Sequence, residues 1–178
     1  MAKLNEKNER TEKTIHLMIT DKCDRHCPLC CNNQYDMNAI EYVTDEELKN
    51  AKTIFLTGGE PFAYADPCKF AKQLKEKYPN IKNIYVYTNA LELYLYLQKN
   101  DIYGIDGVTI SIKNKFDYKV FEKSLQYNEQ ILKLNSNWLY TFPGFNDIEY
   151  PKRYFTRRDR VWQEDFIPNP NSIFRRWK

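Results

Sequence analysis

Five short apolar segments, 14–19, 53–56, 84–87, 108–112 and 138–142, recur along the chain. Their centres lie ~25–40 residues apart, the size of one strand–helix–strand unit. Val, Ile, Phe and Tyr dominate them, and they are nearly continuous in apolar character. Strands buried on both faces of a parallel sheet have that composition, whereas strands with one wet face alternate. Helical patterns fill the intervals. Thr44-Asp45-Glu46-Glu47 is a capping box that opens a short helix. Asp66-Pro67 supplies a cap and an N1 proline ahead of Phe70, Leu74 and Tyr78 on one stripe. Residues 91–99 form a third helix, and Val120, Phe121, Leu125, Ile131 and Leu132 mark a fourth, longer one.

The expected fold class is therefore α/β, with mainly parallel strands. A complete eight-fold barrel takes ~250 residues. A chain of 178 residues holds five or six strand–helix units, so a partial, open (β/α)5–6 barrel is expected. The expected organisation is a polar lead-in over 1–13, a core over 14–142 and a basic, aromatic extension over 143–178. One further strand is expected near 154–162. The extension carries Lys152, Arg153, Arg157, Arg158, Arg160, Arg175, Arg176 and Lys178 against Asp159, Glu164 and Asp165. Trp162, Phe166, Phe174 and Trp177 are interleaved with those charges. Such a tail suits a solvated surface or a strand packed across a barrel mouth, and less readily a phosphate, an acidic partner or a nucleic acid. The net charge of +3 is too small to argue for nucleic acid. The fourteen tyrosines are read as packing residues.

The chain has five cysteines, and three lie in Cys23-Asp-Arg-His-Cys27-Pro-Leu-Cys30, directly after the first strand segment. Residues 1–13 are charged and lack an apolar core, and no run approaches the ~18 apolar residues of a membrane span. A cytoplasmic protein with reduced, metal-binding thiols is expected rather than a disulfide framework. Three thiolates spaced four and three apart suit a soft metal or an iron–sulfur cluster. In a [4Fe–4S] cluster, three cysteines leave one iron for a ligand the protein does not supply. The bland alternative is a structural zinc site completed by His26 or Cys31, although closed zinc sites usually pair two separated Cys-x2–4-Cys motifs. Adjacent side chains of an extended segment point apart, so Cys31 reads as a packed residue or a competitor for iron. His26 reads as a loop residue and Cys68 as a small apolar one.

The second strand segment ends in Thr57-Gly58-Gly59-Glu60-Pro61. Two glycines there let a ligand approach the backbone, and Glu60 offers a carboxylate to a cationic group. Parallel α/β folds collect functional groups at that end of their strands. Alone, Gly-Gly-Glu is a common turn; downstream of a three-cysteine loop it becomes specific.

Together these motifs resemble the radical S-adenosylmethionine (radical SAM) superfamily. Its Cys-x3-Cys-x2-Cys hallmark is matched by Cys23, Cys27 and Cys30, and its Gly-Gly-Glu motif by Gly58, Gly59 and Glu60. Thr88-Asn89-Ala90 stands after the third strand, where members carry Thr-Asn-Gly, and Ser111-Ile112-Lys113 after the fourth. Taken singly, Thr88-Asn89 is a turn and Lys113 a solvent-facing lysine. The resemblance covers roughly residues 14–142. It departs at Leu29, where members usually carry an aromatic residue near the adenine of SAM.

The resemblance implies a [4Fe–4S] cluster and SAM as cofactors, with Cys23, Cys27 and Cys30 as cluster ligands. It implies that Gly58, Gly59, Glu60, Thr88, Asn89, Ser111 and Lys113 bind SAM. The implied reaction is one-electron reduction of SAM to methionine and a 5′-deoxyadenosyl radical, which abstracts hydrogen from a substrate. Flavodoxin or ferredoxin would supply the electron. The small size and motif set look most like the organic-radical-activating group, which includes glycyl radical enzyme activases and 7-carboxy-7-deazaguanine synthases. The first would act on a partner protein, the second on a small molecule. Ile112 stands where the synthases usually have proline. Other peptide- or nucleotide-modifying enzymes fit the same motifs. From a different class, a zinc- or cluster-containing nucleic-acid-binding module would use Arg157, Arg158, Arg160, Arg175 and Arg176 on phosphates.

Overall fold

The computed structural model describes residues 13–27, 30–34, 36–127, 129–161 and 171–178. Seven parallel strands form one sheet in the order β6-β5-β4-β3-β2-β1-β7. They are β1 (Lys13–Thr20), β2 (Ala51–Gly58), β3 (Asn83–Asn89), β4 (Gly107–Ile112), β5 (Asn137–Thr141), β6 (Phe155–Asp159) and β7 (Ser172–Arg176). The helices are α1 (Asp45–Asn50), α2 (Pro61–Tyr64), α3 (Pro67–Lys77), α4 (Ala90–Leu97) and α5 (Lys115–Tyr127). The sheet does not close, and the architecture is the expected partial, open α/β barrel. From β1 to β6 the strands follow one another in sequence order. Helix residues Leu48, Phe62, Leu74, Leu93 and Phe121 share one core with the strands, so the connecting helices lie on one side of the sheet, the arrangement that crossovers of a single hand produce.

Local sequence explains the elements. Thr44 and Glu47 form the reciprocal capping box at the start of α1. Asp66 caps α3 ahead of Pro67, accepting from the Lys69 N–H at 3.0 Å. Asn89 caps α4. The fourth helical pattern runs past the observed helix: α5 ends at Tyr127, and Ile131 and Leu132 belong to a 3-10 turn, Ile131–Lys133. Apolar spacing continued there because Ile131 is buried in the same core, not because the helix continues.

On the helix side, Ile15, Leu17, Ile54, Leu56, Ile84, Val86, Val108, Ile110, Ile112 and Leu139 form the core with Cys68, Ala71, Leu74, Leu93 and Phe121. Cys68 packs as expected for a small apolar residue, and its thiol is pushed up by burial. The opposite face carries the alternate residues His16, Phe55, Tyr85, Tyr87 and Tyr140, all partly exposed. Their rings run across the strands. His16 stacks on Phe55 at 4.9 Å, Phe55 lies 5.5 Å from Tyr87, and Tyr87 lies 6.0 Å from Tyr140.

The strand near 154–162 is β6, with Trp162 outside the described residues. Residues 172–176 form an edge strand beside β1 rather than a strap over the mouth. Arg175 pairs with Glu47 at 2.8 Å and Glu41 at 3.1 Å. Arg176 donates to the Met37 carbonyl at 2.9 Å and lies over the Tyr42 ring. Two of the five arginines nominated for phosphate binding are thus engaged in holding β7 to the segment 37–47. Among the described residues, no helix is long and apolar enough to cross a membrane.

Candidate functional site

The residues singled out from the sequence gather at the C-terminal ends of β1 to β4. Cys23, Cys27 and Cys30 are partly buried on the loop that follows β1. A turn from the Cys30 N–H to the Cys27 carbonyl, 3.1 Å, shapes the second half of that loop. Burial pushes the Cys23 thiol up, with Asp24, Glu60 and Cys30 adding negative surroundings and a backbone N–H at Arg25 opposing them. His26 is exposed and lies in the left-handed backbone region, φ 42°. Leu29, the position tied to the adenine, and the side chain of Cys31 lie outside the described residues.

The Gly-Gly-Glu turn is locked to the start of that loop. The Gly59 N–H donates to the Thr20 carbonyl at 2.7 Å, and the Glu60 N–H to the Lys22 carbonyl at 2.8 Å. A Cβ on Gly58 would run into the Thr20 carbonyl oxygen, and one on Gly59 into that of Lys22. These glycines therefore let the turn pack directly against the backbone of residues 20–22. Asn32 adds a bond to the Gly58 carbonyl at 2.8 Å.

Glu60 is 3 % exposed. Its carboxylate accepts from the Phe62 N–H (3.3 Å), the Thr88 hydroxyl (2.6 Å), the Asn89 N–H (2.9 Å) and the Asn89 side-chain amide (2.7 Å). Burial nevertheless pushes its carboxyl up to about 7, against the downward pull of those bonds. The structure thus brings Glu60, Thr88 and Asn89 together as one network joining the ends of β2 and β3. The Asn89 side-chain oxygen is also engaged, capping α4 through the Glu92 N–H at 3.0 Å.

Ser111 is partly exposed on the aromatic face, between Asn89 of β3 and Tyr140 of β5. Lys113 does not face solvent alone: its ammonium donates to the Cys27 sulfur at 3.4 Å. Two residues that sequence reasoning passed over complete this corner. Arg25, inside the cysteine loop, forms an ion pair with Asp117 of α5, and Asp117 also accepts from the Lys113 N–H at 3.1 Å. The Asn114-x-x-Asp117 spacing is a helix-start signal that could have drawn attention to Asp117; the Asn114 side chain accepts the Asp117 N–H at 2.9 Å.

A thiolate cluster fits this loop. Three thiols share one short, partly open segment, and the Arg25 Nε is a buried donor with no partner among the described residues. Such a donor next to cluster ligands suits an anionic acceptor group. Among the described residues no three His, Cys, Asp or Glu side chains converge on one point to chelate a single ion. In a cubane each sulfur binds its own iron, so that convergence is not required.

The comparisons with known proteins agree with this architecture. The chain is 28% identical over 118 residues to a probable GTP 3′,8-cyclase of Methanocaldococcus jannaschii, covering 61% of this chain and 39% of that protein. It is 25% identical over 136 residues to a probable GTP 3′,8-cyclase of Methanococcus aeolicus, covering 71% and 45%. It is 26% identical over 171 residues to a GTP 3′,8-cyclase of Aquifex aeolicus, covering 82% and 53%. The chain spans about half the length, or less, of the curated relatives it matches. No protein-family model matches, and no solved structure matches.

The open parallel sheet, the three-cysteine loop and these similarities together support the radical SAM superfamily. The similarities lend no support to its glycyl radical activase branch. The cofactor pair of that superfamily is a [4Fe–4S] cluster and SAM.

Proposed function

We propose that this chain carries the cluster- and SAM-binding core of a radical SAM enzyme, with Cys23, Cys27 and Cys30 holding the [4Fe–4S] cluster. The observation that carries the reading is the three-thiol loop tied to the Gly-Gly-Glu turn at the C-terminal edge of a parallel sheet. When bound, the cluster and SAM supply one-electron chemistry that yields a 5′-deoxyadenosyl radical able to take hydrogen from a substrate. The protein's part is positioning. Gly58 and Gly59 let the turn pack onto the cysteine loop, and Glu60 fixes Thr88 and Asn89 in register beside it. In this reading Gly58, Gly59, Glu60, Thr88, Asn89, Ser111 and Lys113 line and orient SAM. Flavodoxin or ferredoxin is the proposed electron donor, in a cytoplasmic setting that keeps the thiols reduced.

The names of the relatives direct the search for substrate to a purine nucleoside triphosphate, in a ring-forming, lyase-type reaction. The aromatic rings of His16, Phe55, Tyr87 and Tyr140 favour a planar, small-molecule substrate of that kind. A second reading, activation of a glycyl radical enzyme, draws on the same partly exposed inner face as the surface a partner protein would meet. The test is anaerobic purification, measurement of iron and sulfide, reduction, addition of SAM, and assay for 5′-deoxyadenosine. Iron, sulfide and SAM cleavage are expected. Zinc without iron, and no cleavage, would favour the binding-module alternative instead.

A further inference from the structure

We propose that the corner between β4 and α5 holds and tunes the cluster site: Asp117 anchors the cysteine loop through Arg25, and Lys113 donates to the sulfur of Cys27. This rests on the reading of the loop as a cluster site and adds to it two positioning residues, Arg25 and Asp117, and a second task for Lys113 beside the orientation of SAM.

The geometry forms a closed ring. Arg25 reaches from the middle of the cysteine loop to Asp117. The second carboxylate oxygen of Asp117 accepts the Lys113 N–H at 3.1 Å, and the Lys113 ammonium returns to the Cys27 sulfur at 3.4 Å. The two attachments flank His26, a non-glycine residue held at positive φ. A left-handed backbone at such a residue is unfavourable on its own and persists where its neighbours are fixed. Asp117 itself is 1 % exposed. Burying a carboxylate is costly unless it is paired and hydrogen-bonded. Here that pairing is directed at the cysteine loop, while Asn114 supplies the α5 cap.

Cys27 faces an ammonium. A hydrogen bond and a positive charge at a cluster thiolate stabilise the reduced, more negative state and raise its potential. Lys113 would therefore make a cluster held at Cys27 easier to reduce.

The test is a redox titration of anaerobic, cluster-loaded protein without SAM, followed by electron paramagnetic resonance. Lys113→Met should lower the reduction equilibrium constant about tenfold, ~59 mV for a one-electron couple, with iron content unchanged. Lys113→Arg should restore the wild-type potential. Lys113→Gln, which keeps a donor but not the charge, should give a smaller drop, and it serves where Lys113→Met does not take up iron. Asp117→Asn and Arg25→Gln should each speed iron loss to a chelator several-fold. An unmoved potential in the Lys113 variants, with weakened SAM binding instead, would assign Lys113 to SAM and overturn the tuning. Chelation rates equal to wild type in both anchor variants would overturn the latch. Wild-type protein without iron or sulfide would overturn the cluster reading as well, so the two failures are distinguishable.

Discussion

Phe55 and Leu56 are neighbours on β2, and they show what differs between the two faces of the sheet. Leu56 is fully buried beneath the helices, in register with Leu17 of β1 and Val86 of β3. Phe55 points the other way, partly exposed, stacked between His16 and Tyr87. The helix side is closed, mainly aliphatic and continuous from β1 to β6, and it holds the fold. The inner side is aromatic and incompletely covered, and its C-terminal rim carries the cysteine loop, the Glu60 network and Lys113. Because successive side chains of a strand alternate, one run of sequence serves both faces. Stability and chemistry are thereby separable by single substitutions one residue apart.

The largest effect is expected at the rim. Cys27→Ala should abolish iron binding and SAM cleavage while the fold persists, as read by iron content and circular dichroism; retention of both activities would show that Cys27 is not a ligand. Next, Leu56→Ala should destabilise the protein by about 2–5 kcal/mol, the range for a buried leucine. Phe55→Ala should cost about 1–2 kcal/mol, since part of the ring is already in water. Equal losses in chemical denaturation would break the comparison, because the inner face would then be core.

Two titrating groups sharpen it further. The folded state keeps the Glu60 proton up to about pH 7, above the ordinary carboxylate range. The unfolded chain gives that proton up first, so this contribution is full below about pH 4.5 and is lost as pH rises through 7, by about 1–3 kcal/mol. Glu60→Gln should flatten that slope in denaturation series across pH; an unchanged slope would place its origin elsewhere. The smallest effect is expected at His16, whose basicity burial lowers. The neutral ring is preferred in the folded state, so its contribution is complete above about pH 6.5 and declines as pH falls below it. His16→Phe should remove that acid-side decline. A variant that declines as wild type does would show His16 accepting its proton without cost.

The first five strands were legible because each is a short aliphatic or aromatic run bounded by polar turns, and the caps at Thr44 and Asp66 announced their helices. β7 was not legible as a sheet strand. Ser172–Arg176 follows Pro168 and Pro170, carries two arginines, and gains its place only by pairing with β1 and by the Arg175 and Arg176 contacts to residues 37–47. The inner aromatic face was present in the sequence as period-two spacing, Tyr85 with Tyr87 and Trp138 with Tyr140, but tyrosine abundance masked it. At the site, spacing revealed the three cysteines and Gly-Gly-Glu, but not the backbone that the two glycines pack against. The carbonyls they meet, Thr20 and Lys22, belong to a segment 38 residues away in the chain for the Gly58–Thr20 pair (58 minus 20). Arg25 and Asp117 stand 92 residues apart, and no local pattern links them.

Electron paramagnetic resonance of the reduced, anaerobic protein, recorded before and after addition of SAM, tests the three-cysteine site most directly. A [4Fe–4S] signal that changes when SAM is added is the expected result, since one iron lacks a protein ligand. A cluster signal indifferent to SAM, with its fourth iron held by a side chain, would contradict it.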